Sequence, residues 1–526
     1  MNVRVTVVLI LAALILGSAL IQFYWLSAVF VALLIMALID ITQRKHTILR
    51  NYPLLGHIRY FMEFIRPEIQ QYFVESNLSG RPINREYREL VYQRSKQESD
   101  TRPFGTQFDV YRTGYEWMSH SLHPIHIENK NPRVKFGGPD CTLPYMASPL
   151  NISAMSYGAL SKNAVLALNK GAKEGGFAHN TGEGGLSPYH LEYGADVIWQ
   201  IGTGYFGCRT ESGGFDASKF TEKATLDVVK MIEIKLSQGA KPGHGGILPA
   251  AKLTKEIAEI RHVPLGKDVI SPAAHSAFDS PIGLLMFVKQ LRELSGGKPV
   301  GFKLCIGQRH EFLAICKAML DTGITPDFIT VDGSEGGTGA APIEFTNSVG
   351  MPLTEAVVFV NNALIGIGVR DKIRIIAAAK IFSAFHIAKV MALGADTVNS
   401  ARGMMLALGC IHARNCNNDK CPTGITTQNP NRYKLLDIDL KGTRVFNFHK
   451  ATITNLLDLV GACGINDLSQ ITRSHVNRRV SATEVKTYHE IYPLFTQNCL
   501  LDINTIPELV QQDWQRANSS DWAAVD

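Results

Sequence analysis

Residues 328–340 of this chain read FITVDGSEGGTGA, in which a short apolar run, Phe328–Val331, is followed by Asp332 and a loop with four glycines. β-rich runs that end in such loops recur from about residue 145 onward, separated by helical stretches rich in Ala, Leu and Lys. The runs predicted as strands are Asn151–Met155, Phe177–Asn180, Val197–Ile201, Ile232–Leu236, Val300–Leu304, Phe328–Val331, Ile373–Ala377 and Thr397–Asn399. Eight strands alternating with helices over about 250 residues predict an α/β fold of the (β/α)8 TIM-barrel class rather than an open sheet.

Two of the intervening helices have clear end signals. Residues 161–174 are apolar at helical intervals after Ser161, and serine caps helix N-termini. The stretch Ile387–Leu393 is followed by Gly394, which favours a C-terminal cap. Beyond Cys421 the chain passes through proline-containing turns into a region that is predicted to be helical. The barrel is therefore expected to carry C-terminal helical additions.

The beginning of the chain has a different composition. Val5–Ile39 is a run of 35 residues without Asp, Glu, Lys, Arg or His. As one helix it would rise about 52 Å at ~1.5 Å per residue, against a hydrocarbon core of ~30 Å, so two helices with a turn from Gly17 to Gln22 fit better than one tilted span. A cleaved signal peptide is disfavoured because its apolar region would be only ~7–15 residues long. The run predicts a transmembrane helical hairpin.

Positive charges flank this hairpin at both of its ends. Arg4 precedes the first predicted helix, and Arg44, Lys45 and Arg50 follow the second, so a hairpin holds all of them on one face of the bilayer. Because basic residues are enriched in cytoplasmic loops, the rest of the chain is predicted to be cytoplasmic. The predicted organisation is a transmembrane hairpin at 1–42, a membrane-proximal helical region at 43–130, the barrel with a cysteine cluster at 131–440 and a helical region at 441–526.

Overall composition excludes several classes of protein. The chain has 526 residues, a formal charge of +6 and 45% hydrophobic residues, which rules out a disordered chain, a collagen-like repeat and a small disulfide-stapled fold. No basic run occurs beyond the juxtamembrane one, so nucleic acid is not an expected partner. Nine cysteines, an odd number with scattered spacing, indicate a reducing compartment.

Three of the cysteines form a cluster, Cys410-x5-Cys416-x4-Cys421, followed by Pro422. Three thiolates within twelve residues can converge on one soft metal centre, and the spacing differs from the CxxC pairs of zinc ribbons. An iron–sulfur centre is favoured, while a zinc site completed by His412 and unliganded thiols remain as alternatives. Three local ligands favour a cuboidal cluster that lacks one iron, with a fourth ligand from Cys463 or Cys305 left open.

The loops that follow the predicted strands are the expected place for chemistry, because TIM barrels carry their sites at the C-terminal ends of the strands. Four of these loops contain several glycines, which let the backbone approach a flat or phosphorylated ligand. Four in one barrel indicate a bound cofactor rather than tight turns alone. Gly202–Gly207 matches GxGxxG, but it lacks the acidic residue and βαβ frame of a dinucleotide site, so we interpret it as a barrel loop.

Five stretches carry a family resemblance, in this order: Ile152–Ser161, Asn180–Gly185, Gln238–Gly246, Asp332–Ala340 and Cys410–Gln428. They resemble the FMN-binding synthase domain of glutamate synthase over roughly residues 100–495, most closely in the membrane-anchored, stand-alone group. The resemblance implies an oxidoreductase with FMN in the barrel and a 3Fe-4S cluster on the three clustered cysteines. The implied reaction converts 2-oxoglutarate and ammonia reductively to L-glutamate.

The resemblance also implies roles for particular residues. An acid in the second-strand loop, Glu183, is expected to contact the imino intermediate, and a lysine on the fifth strand, Lys303, to anchor the substrate or the flavin edge. Reducing a 2-imino acid needs a hydride donor, a cation that binds the carboxylates and a group that donates or accepts protons. Weaker candidates for substrate contact are Lys241, His244 and His275. The residues expected to contact FMN are Ser153, Met155, Ser156, Asn180, Lys303, Asp332, Gly336, Gly337, Thr338, Lys380 and Arg402.

The chain departs from the family pattern after the seventh strand. The family has Asp-Gly-Gly and a Lys-Thr-Gly turn that cradles the flavin phosphate, where this chain has Ala378–Ala384 with Lys380 and Ser383. Lys380, Ser383 and Arg402 are expected to compensate by charge and hydroxyl. No glutaminase or pyridine-nucleotide domain is recognisable, so we expect free ammonia and an external electron donor, such as a ferredoxin or a membrane redox protein, that feeds FMN through the cluster. Two alternatives remain: a glutamate-modifying enzyme that transfers an amine without net reduction, and a catalytically weakened, membrane-tethered interaction protein.

Overall fold

The computed structural model describes residues 3–525, and the chain divides into two compact units between Glu86 and Tyr87. The first unit is helical. It contains α1 (Val3–Leu20), α2 (Tyr24–Thr42), α3 (Thr47–Asn51) and α4 (Leu55–Ile69), which a π-helical turn, Gln70–Val74, extends. By length and composition α1 and α2 could each cross a membrane, with mean hydropathies of 2.4 and 2.3. The predicted pair of apolar helices is therefore present.

The connection between α1 and α2 lies later than predicted. Gly17 and Ser18 are helical, and only residues 21–23 connect the two helices. Ser18 Oγ donates a hydrogen bond to the Leu14 carbonyl at 2.7 Å and lies 2.7 Å from Ser27 Oγ on α2. Because these bonds satisfy the hydroxyl between two apolar helices, Ser18 stays helical, and the predicted start of the turn was wrong.

The second unit is built around a closed barrel of eight parallel strands, which pair in chain order, with the last strand returning to the first. The strands are β1 (Leu150–Ile152), β2 (His179–Asn180), β3 (Val197–Ile201), β4 (Val229–Lys235), β5 (Val300–Leu304), β6 (Phe328–Asp332), β7 (Arg374–Ala378) and β8 (Thr397–Ser400). Each predicted run overlaps one of them, and the bounds of β3 and β5 are those predicted. The TIM-barrel prediction is confirmed.

A short antiparallel hairpin closes one end of the barrel. Val134–Phe136 pairs with Tyr145–Ala147 immediately before β1. Phe136 is buried, and its ring meets that of Phe328, the first residue of β6, edge to face at 5.8 Å. Because this hairpin packs against the beginnings of the strands, the opposite rim, where the strands end, is the side on which a ligand can enter.

Helices surround the barrel: α5 (Arg85–Lys96), α6 (Lys162–Gly175), α7 (Pro188–Leu191), α8 (Ala217–Ala224), α9 (Lys255–Arg261), α10 (Pro281–Leu294), α11 (Arg309–Thr322), α12 (Ile343–Ser348), α13 (Leu353–Gly366), α14 (Ala384–Leu393), α15 (Arg402–Leu408), α16 (Pro430–Tyr433), α17 (Ile438–Ala462), α18 (Tyr488–Ile491) and α19 (Glu508–Arg516). Short strands outside the barrel are Glu116–Met118 with Val476–Arg479 and Val485–Thr487, and Ile247–Leu248 with Val269–Ile270. The C-terminal additions predicted from the sequence are therefore mainly helical.

Both helix-end predictions agree with the structure. Ser161 caps α6, its Oγ accepting the Ala164 N–H at 3.3 Å, and α14 ends at Gly394 with φ +123°. The long helix α17 packs directly on α6, where Gly171 is required because a Cβ there would come within 2.6 Å of the Gly442 carbonyl oxygen. This contact fastens the C-terminal helix to the outside of the barrel.

Candidate active site

The ends of the barrel strands bring the two predicted catalytic residues together at one rim. Glu183 follows β2 by three residues, and Lys303 lies one residue before the end of β5. The two side chains interact electrostatically across the barrel mouth. The arrangement follows from parallel strands in a closed barrel, which place every C-terminal end on the same side.

Glu183 forms an ion pair that the sequence did not indicate. Its Oε1 lies 2.7 Å from Nζ of Lys235, the last residue of β4, and the two side chains are 19% and 10% exposed. Burial alone would raise the pKa of Glu183, but Lys235, together with Arg261 and Lys241, lowers it below its ordinary value. Glu183 is therefore a carboxylate at neutral pH and acts as an acceptor of protons and hydrogen bonds.

Two further cations surround this carboxylate. Lys241, in the loop after β4, is only 4% exposed, and within residues 3–525 no acceptor lies within hydrogen-bonding distance of its ammonium group. Burial and the neighbouring Lys235 lower the pKa of Lys241. Arg261, at the end of α9, is 5% exposed, and its Nη2 donates to the Tyr157 carbonyl at 3.1 Å. One carboxylate among three buried cations leaves positive charge available for an anionic ligand.

Lys303 is paired with Asp332 rather than with Glu183. Its Nζ lies 3.1 Å from Oδ2 of Asp332, which also accepts the Gly239 N–H at 3.0 Å. In the sheet register Lys303 stands opposite Lys235, so the two lysines are neighbours on adjacent strands. Burial alone would lower the pKa of Lys303, but Asp332 and Glu233 raise it above its ordinary value. Lys303 is therefore a permanent cation at the rim.

A polar layer inside the barrel supports this cation. Glu233 is fully buried, and its carboxylate accepts hydrogen bonds from Asn180 at 2.8 Å, Gln200 at 2.6 Å and Thr330 at 2.6 Å. Asn180, which was expected to contact FMN, donates to Glu233 and also accepts the Gly182 N–H at 3.0 Å. Glu233 thus places a negative charge under Lys303 and fixes three strands relative to one another.

His275 is hydrogen-bonded to the backbone of Lys235. Nε2 of its ring donates to the Lys235 carbonyl at 2.9 Å, and Nδ1 accepts from the Tyr205 hydroxyl at 3.1 Å. Burial lowers the pKa of His275 to about 4, so the ring is neutral. His244, the other histidine considered from the sequence, packs its ring edge-on against Phe345 with centroids 5.5 Å apart.

The predicted flavin contacts on β6 and β8 form a single cradle. Arg402, two residues beyond β8, donates from Nη2 to the Glu335 carbonyl at 2.9 Å. A Cβ on Gly337 would approach Arg402 Nε to 2.8 Å, so only glycine permits this approach. Thr338 accepts a hydrogen bond from Gln238 at 3.4 Å, which joins the loops after β4 and β6. The structure thereby brings Asp332, Gly336, Gly337, Thr338 and Arg402 together.

The predicted contacts after β1 border the same rim. Ser153 is buried, and its N–H donates to the Ser400 carbonyl at 3.2 Å, which places it beside β8. Met155 is buried, and Ser156 Oγ accepts from Arg261 at 3.4 Å. The β1 loop therefore stands between the cradle and the Glu183 pair.

The altered loop after β7 keeps a backbone shape suited to glycine. Lys380 adopts φ +47°, a left-handed conformation that costs a side-chain-bearing residue about 1–2 kcal/mol. Ser383, which was expected to offer its hydroxyl to a phosphate, accepts the His386 N–H at 3.2 Å and caps α14. The exposed Lys380 remains the residue of this loop that can add positive charge.

The three clustered cysteines lie in one loop between α15 and α16 and interact electrostatically with one another. Their thiols have hydrogen-bonding neighbours: the His412 N–H points to Cys410 Sγ at 3.4 Å, and Thr423 Oγ1 lies 3.4 Å from Cys421 Sγ. In residues 3–525, however, no three His, Cys, Asp or Glu side chains stand close enough together to hold a metal ion. The Nδ1 atom of His412 lies 3.0 Å from Arg88 Nη1, a position that does not suit a zinc ligand.

Comparison with known proteins gives the context for this geometry. The family model described as the conserved region in glutamate synthase matches residues 105–466. The glutamate synthase large subunit-like protein YerD of Bacillus subtilis is 38% identical over 83% of this chain and 90% of its own length. The archaeal glutamate synthase (NADPH) of Methanocaldococcus jannaschii is 39% identical over 62% of this chain and 60% of its own length.

The chain belongs to the glutamate synthase family. Glutamate synthases are oxidoreductases that act on CH–NH2 donors, so the enzyme class predicted from the sequence is confirmed for the family. The chain spans about 60% of the length of the archaeal synthase and of the archaeal-type glutamate synthase (NADPH) of Thermotoga neapolitana, which is 36% identical.

Three buried charges at the mouth of this glutamate synthase-type barrel were not singled out from the sequence. Glu233 and Lys235 lie two positions apart in the buried part of β4, which puts both on its inner face. That pattern is a usable signal, because charges inside a buried strand require partners. Arg261 has no comparable local signal, since it lies on a surface helix and reaches the mouth only through the packing of α9.

Proposed function

We propose that this chain catalyses the reductive amination of 2-oxoglutarate with ammonia to L-glutamate. The overall change consumes 2-oxoglutarate, ammonia, two electrons and two protons and releases L-glutamate and water. The observation that carries the proposal is the Glu183–Lys235 pair at 2.7 Å beside Lys241, a residue that is only 4% exposed. A dicarboxylate substrate supplies the negative charge that this pocket lacks.

The chain's own residues suit the binding and proton-transfer steps. Lys241 would hold one substrate carboxylate, and Lys303 would stabilise negative charge at the keto oxygen or carboxylate. Glu183, held ionised by Lys235, would accept a hydrogen bond from the nitrogen that adds to the keto carbon and take up the proton that this nitrogen loses. His275 would keep Lys235 in place through its hydrogen bond to the backbone.

FMN is the proposed hydride donor, and the residues present fit it. Arg402 and the close approach at Gly337 form a cationic, glycine-lined cradle for the phosphate, with Lys380 of the loop after β7 as a second cation. Lys303 and the β1 loop, with Ser153, Met155 and Ser156, border the space where the flavin ring would lie. When bound, FMN would deliver a hydride to the imino carbon of the substrate.

A 3Fe-4S cluster is proposed at Cys410, Cys416 and Cys421. The donor set fits, since three soft thiols lie in one loop, and Cys410 and Cys421 have N–H or O–H neighbours, as sulfur ligands of such clusters commonly do. The buried ammonium group of Lys252 donates to the Cys416 carbonyl at 3.0 Å and supplies a compensating positive charge. Binding would require the three side chains to turn toward a common point.

The proposal also places the enzyme at a membrane, with the barrel on the cytoplasmic side. Two apolar helices of 18 and 19 residues and their basic flanks support a hairpin anchor. Reducing equivalents would come from an external one-electron donor, such as a ferredoxin or a membrane redox protein.

The test uses the full chain, purified anaerobically in detergent. Near-stoichiometric FMN, an iron–sulfur absorbance that reductant bleaches, and ammonia-dependent glutamate formation with an artificial reductant are the expected results. The variant Lys241→Met should retain FMN but need a higher concentration of 2-oxoglutarate for glutamate formation. Incorporation of labelled ammonia into glutamate without consumption of reductant would favour the amine-transfer alternative, and colourless, inactive protein would favour an interaction protein.

A further inference from the structure

Helix α4 carries an apolar stripe that nothing in residues 3–86 covers. The stripe consists of Leu55, Ile58, Met62, Ile65 and Ile69, whose spacing of three and four places them on one helical face. Leu55, Ile58 and Met62 are 58%, 57% and 53% exposed. Phe61, beside the stripe, is also 57% exposed. A contiguous apolar surface of this kind marks a contact with another apolar phase.

The side of α4 next to the stripe is charged. Arg59 and Glu63 form an exposed ion pair at 3.1 Å, and Arg66 lies one helical turn further along. Between positions 43 and 70 the chain has five basic residues, Arg44, Lys45, Arg50, Arg59 and Arg66, against two acidic ones, Glu63 and Glu68. An apolar helical stripe bordered by basic side chains matches the boundary of a bilayer that contains anionic lipids.

Hydrogen bonds join the start of α4 to the end of the second apolar helix, α2. Asp40, in the last turn of α2, is 3% exposed. Its Oδ2 accepts the Leu54 N–H at 3.0 Å, and both carboxylate oxygens lie 3.0 Å from His57 Nε2. Because α2 is as long as a membrane span, its end marks the level of the headgroups, and α4 therefore begins at that level.

We propose that α4 lies in the plane of the membrane, with its stripe at the boundary between the headgroups and acyl chains of the bilayer that α1 and α2 cross. This inference rests on the proposed hairpin anchor. It adds a second, lateral membrane contact to the chain, held at a fixed depth by the Asp40 bonds. Arg59 and Arg66 flank the stripe, where their side chains can extend to lipid phosphates.

The test measures the depth of single positions in the full chain. An environment-sensitive fluorescent amino acid is introduced at position 62 on the stripe, at 63 as its matched control, and at 35 within α2. Each variant is reconstituted in vesicles of phosphatidylcholine and phosphatidylglycerol. Doxyl-labelled lipid reports contact with acyl chains, and iodide reports contact with water.

We expect doxyl lipid to lower the emission at positions 62 and 35 by about twofold or more and iodide to leave it nearly unchanged, with the reverse at position 63. If position 35 responds to lipid but position 62 responds to iodide or to neither quencher, the stripe faces water or protein, and the in-plane helix is overturned while the anchor stands. Protection of position 62 from both quenchers would indicate a second copy of the chain as the occupant. If position 35 also fails to respond to lipid, the anchor itself is wrong.

Discussion

Glu183 and Lys235 lie 52 positions apart in the chain and meet at 2.7 Å, with Glu183 Oε1 against Lys235 Nζ. The pair lies at the rim where β2 and β4 end. The pair keeps Glu183, the proposed proton acceptor, ionised. Burial would raise the pKa of Glu183, and Lys235 is the main cause that lowers it. The activity should therefore depend on this cation.

Replacing Lys235 with Met should shift the pH dependence of glutamate formation. Without the cation, burial dominates and the pKa of Glu183 rises. Activity should therefore be lost at a higher pH on the acidic side of the profile. Lys230→Met is the control, since Lys230 lies on the same strand but pairs with the exposed Asp227. An acidic limb at the same pH in wild type and Lys235→Met would refute the role of the pair.

Replacing Lys241 with Met should weaken substrate binding more than FMN binding. One charge-assisted contact is worth about 1.5–3 kcal/mol, so KM for 2-oxoglutarate should rise by about tenfold or more. Because burial and Lys235 lower the pKa of Lys241, binding in wild type should also weaken as the pH rises toward the alkaline range. Steady-state kinetics against Lys255→Met, an exposed lysine on α9, measure the effect. An unchanged KM would remove Lys241 from the site.

The Lys303–Asp332 pair should show strong coupling in a double-mutant cycle. Lys303→Met leaves Asp332 buried without its cation and should lower the free energy of unfolding by about 3–5 kcal/mol. Adding Asp332→Asn should recover a large part of this loss, because the stranded charge is gone. Chemical denaturation of the four proteins in detergent gives the coupling. Additive losses would mean that the pair acts only through separate contacts.

Replacing Cys416 with Ser should abolish the iron–sulfur signal. Of three local ligands, one would be lost, and the remaining two thiols would not hold a cuboidal cluster. Iron and sulfide analysis with electron paramagnetic resonance gives the readout. Cys141→Ser is the matched control, because the Cys141 thiol donates to the Gly297 carbonyl and belongs to a different part of the fold. Full iron content in Cys416→Ser would reject the ligand assignment.

Stability should decrease in mild acid because of buried histidines such as His275. Burial lowers the pKa of His275 to about 4 in the folded chain, whereas the unfolded chain takes up the proton near pH 6.5. Its contribution is complete above pH 6.5 and is lost as the pH falls toward 4, by up to about 3 kcal/mol. His275→Gln should therefore unfold with a flatter dependence of Tm on pH than the exposed-site control His123→Gln. Parallel curves for the two variants would contradict this assignment.

The local patterns of the sequence were sufficient for the barrel. The apolar run Val300–Leu304 forms a strand with the predicted bounds, and Ser161 caps its helix through a neighbour three residues away. The pair of apolar helices was also predictable from local sequence, except for the position of its turn. The turn lies later than predicted because Ser18 has a hydrogen-bond partner on the second helix. Local signals of this kind survive in the fold because they depend on backbone preferences and periodicity.

The candidate site was only partly accessible from the sequence. Glu183 and Lys303 followed from the family pattern, but their partners did not, since ion pairs join different strands. Lys303 was expected to face substrate or flavin, and the structure also gives it Asp332 and a buried Glu233 beneath. The hydrogen bond from Asn180 to Glu233 was likewise not predicted.

The strands, the order of the loops and the residue types at the barrel mouth could all be predicted from local sequence patterns. Which charges pair, which lysines are buried beside Glu183, and that α4 keeps an uncovered apolar stripe within its unit became apparent in the folded chain. Secondary structure depends on neighbours within a few residues. Charge pairing and burial depend on groups such as Glu183 and Lys235, which are brought together only when the barrel closes.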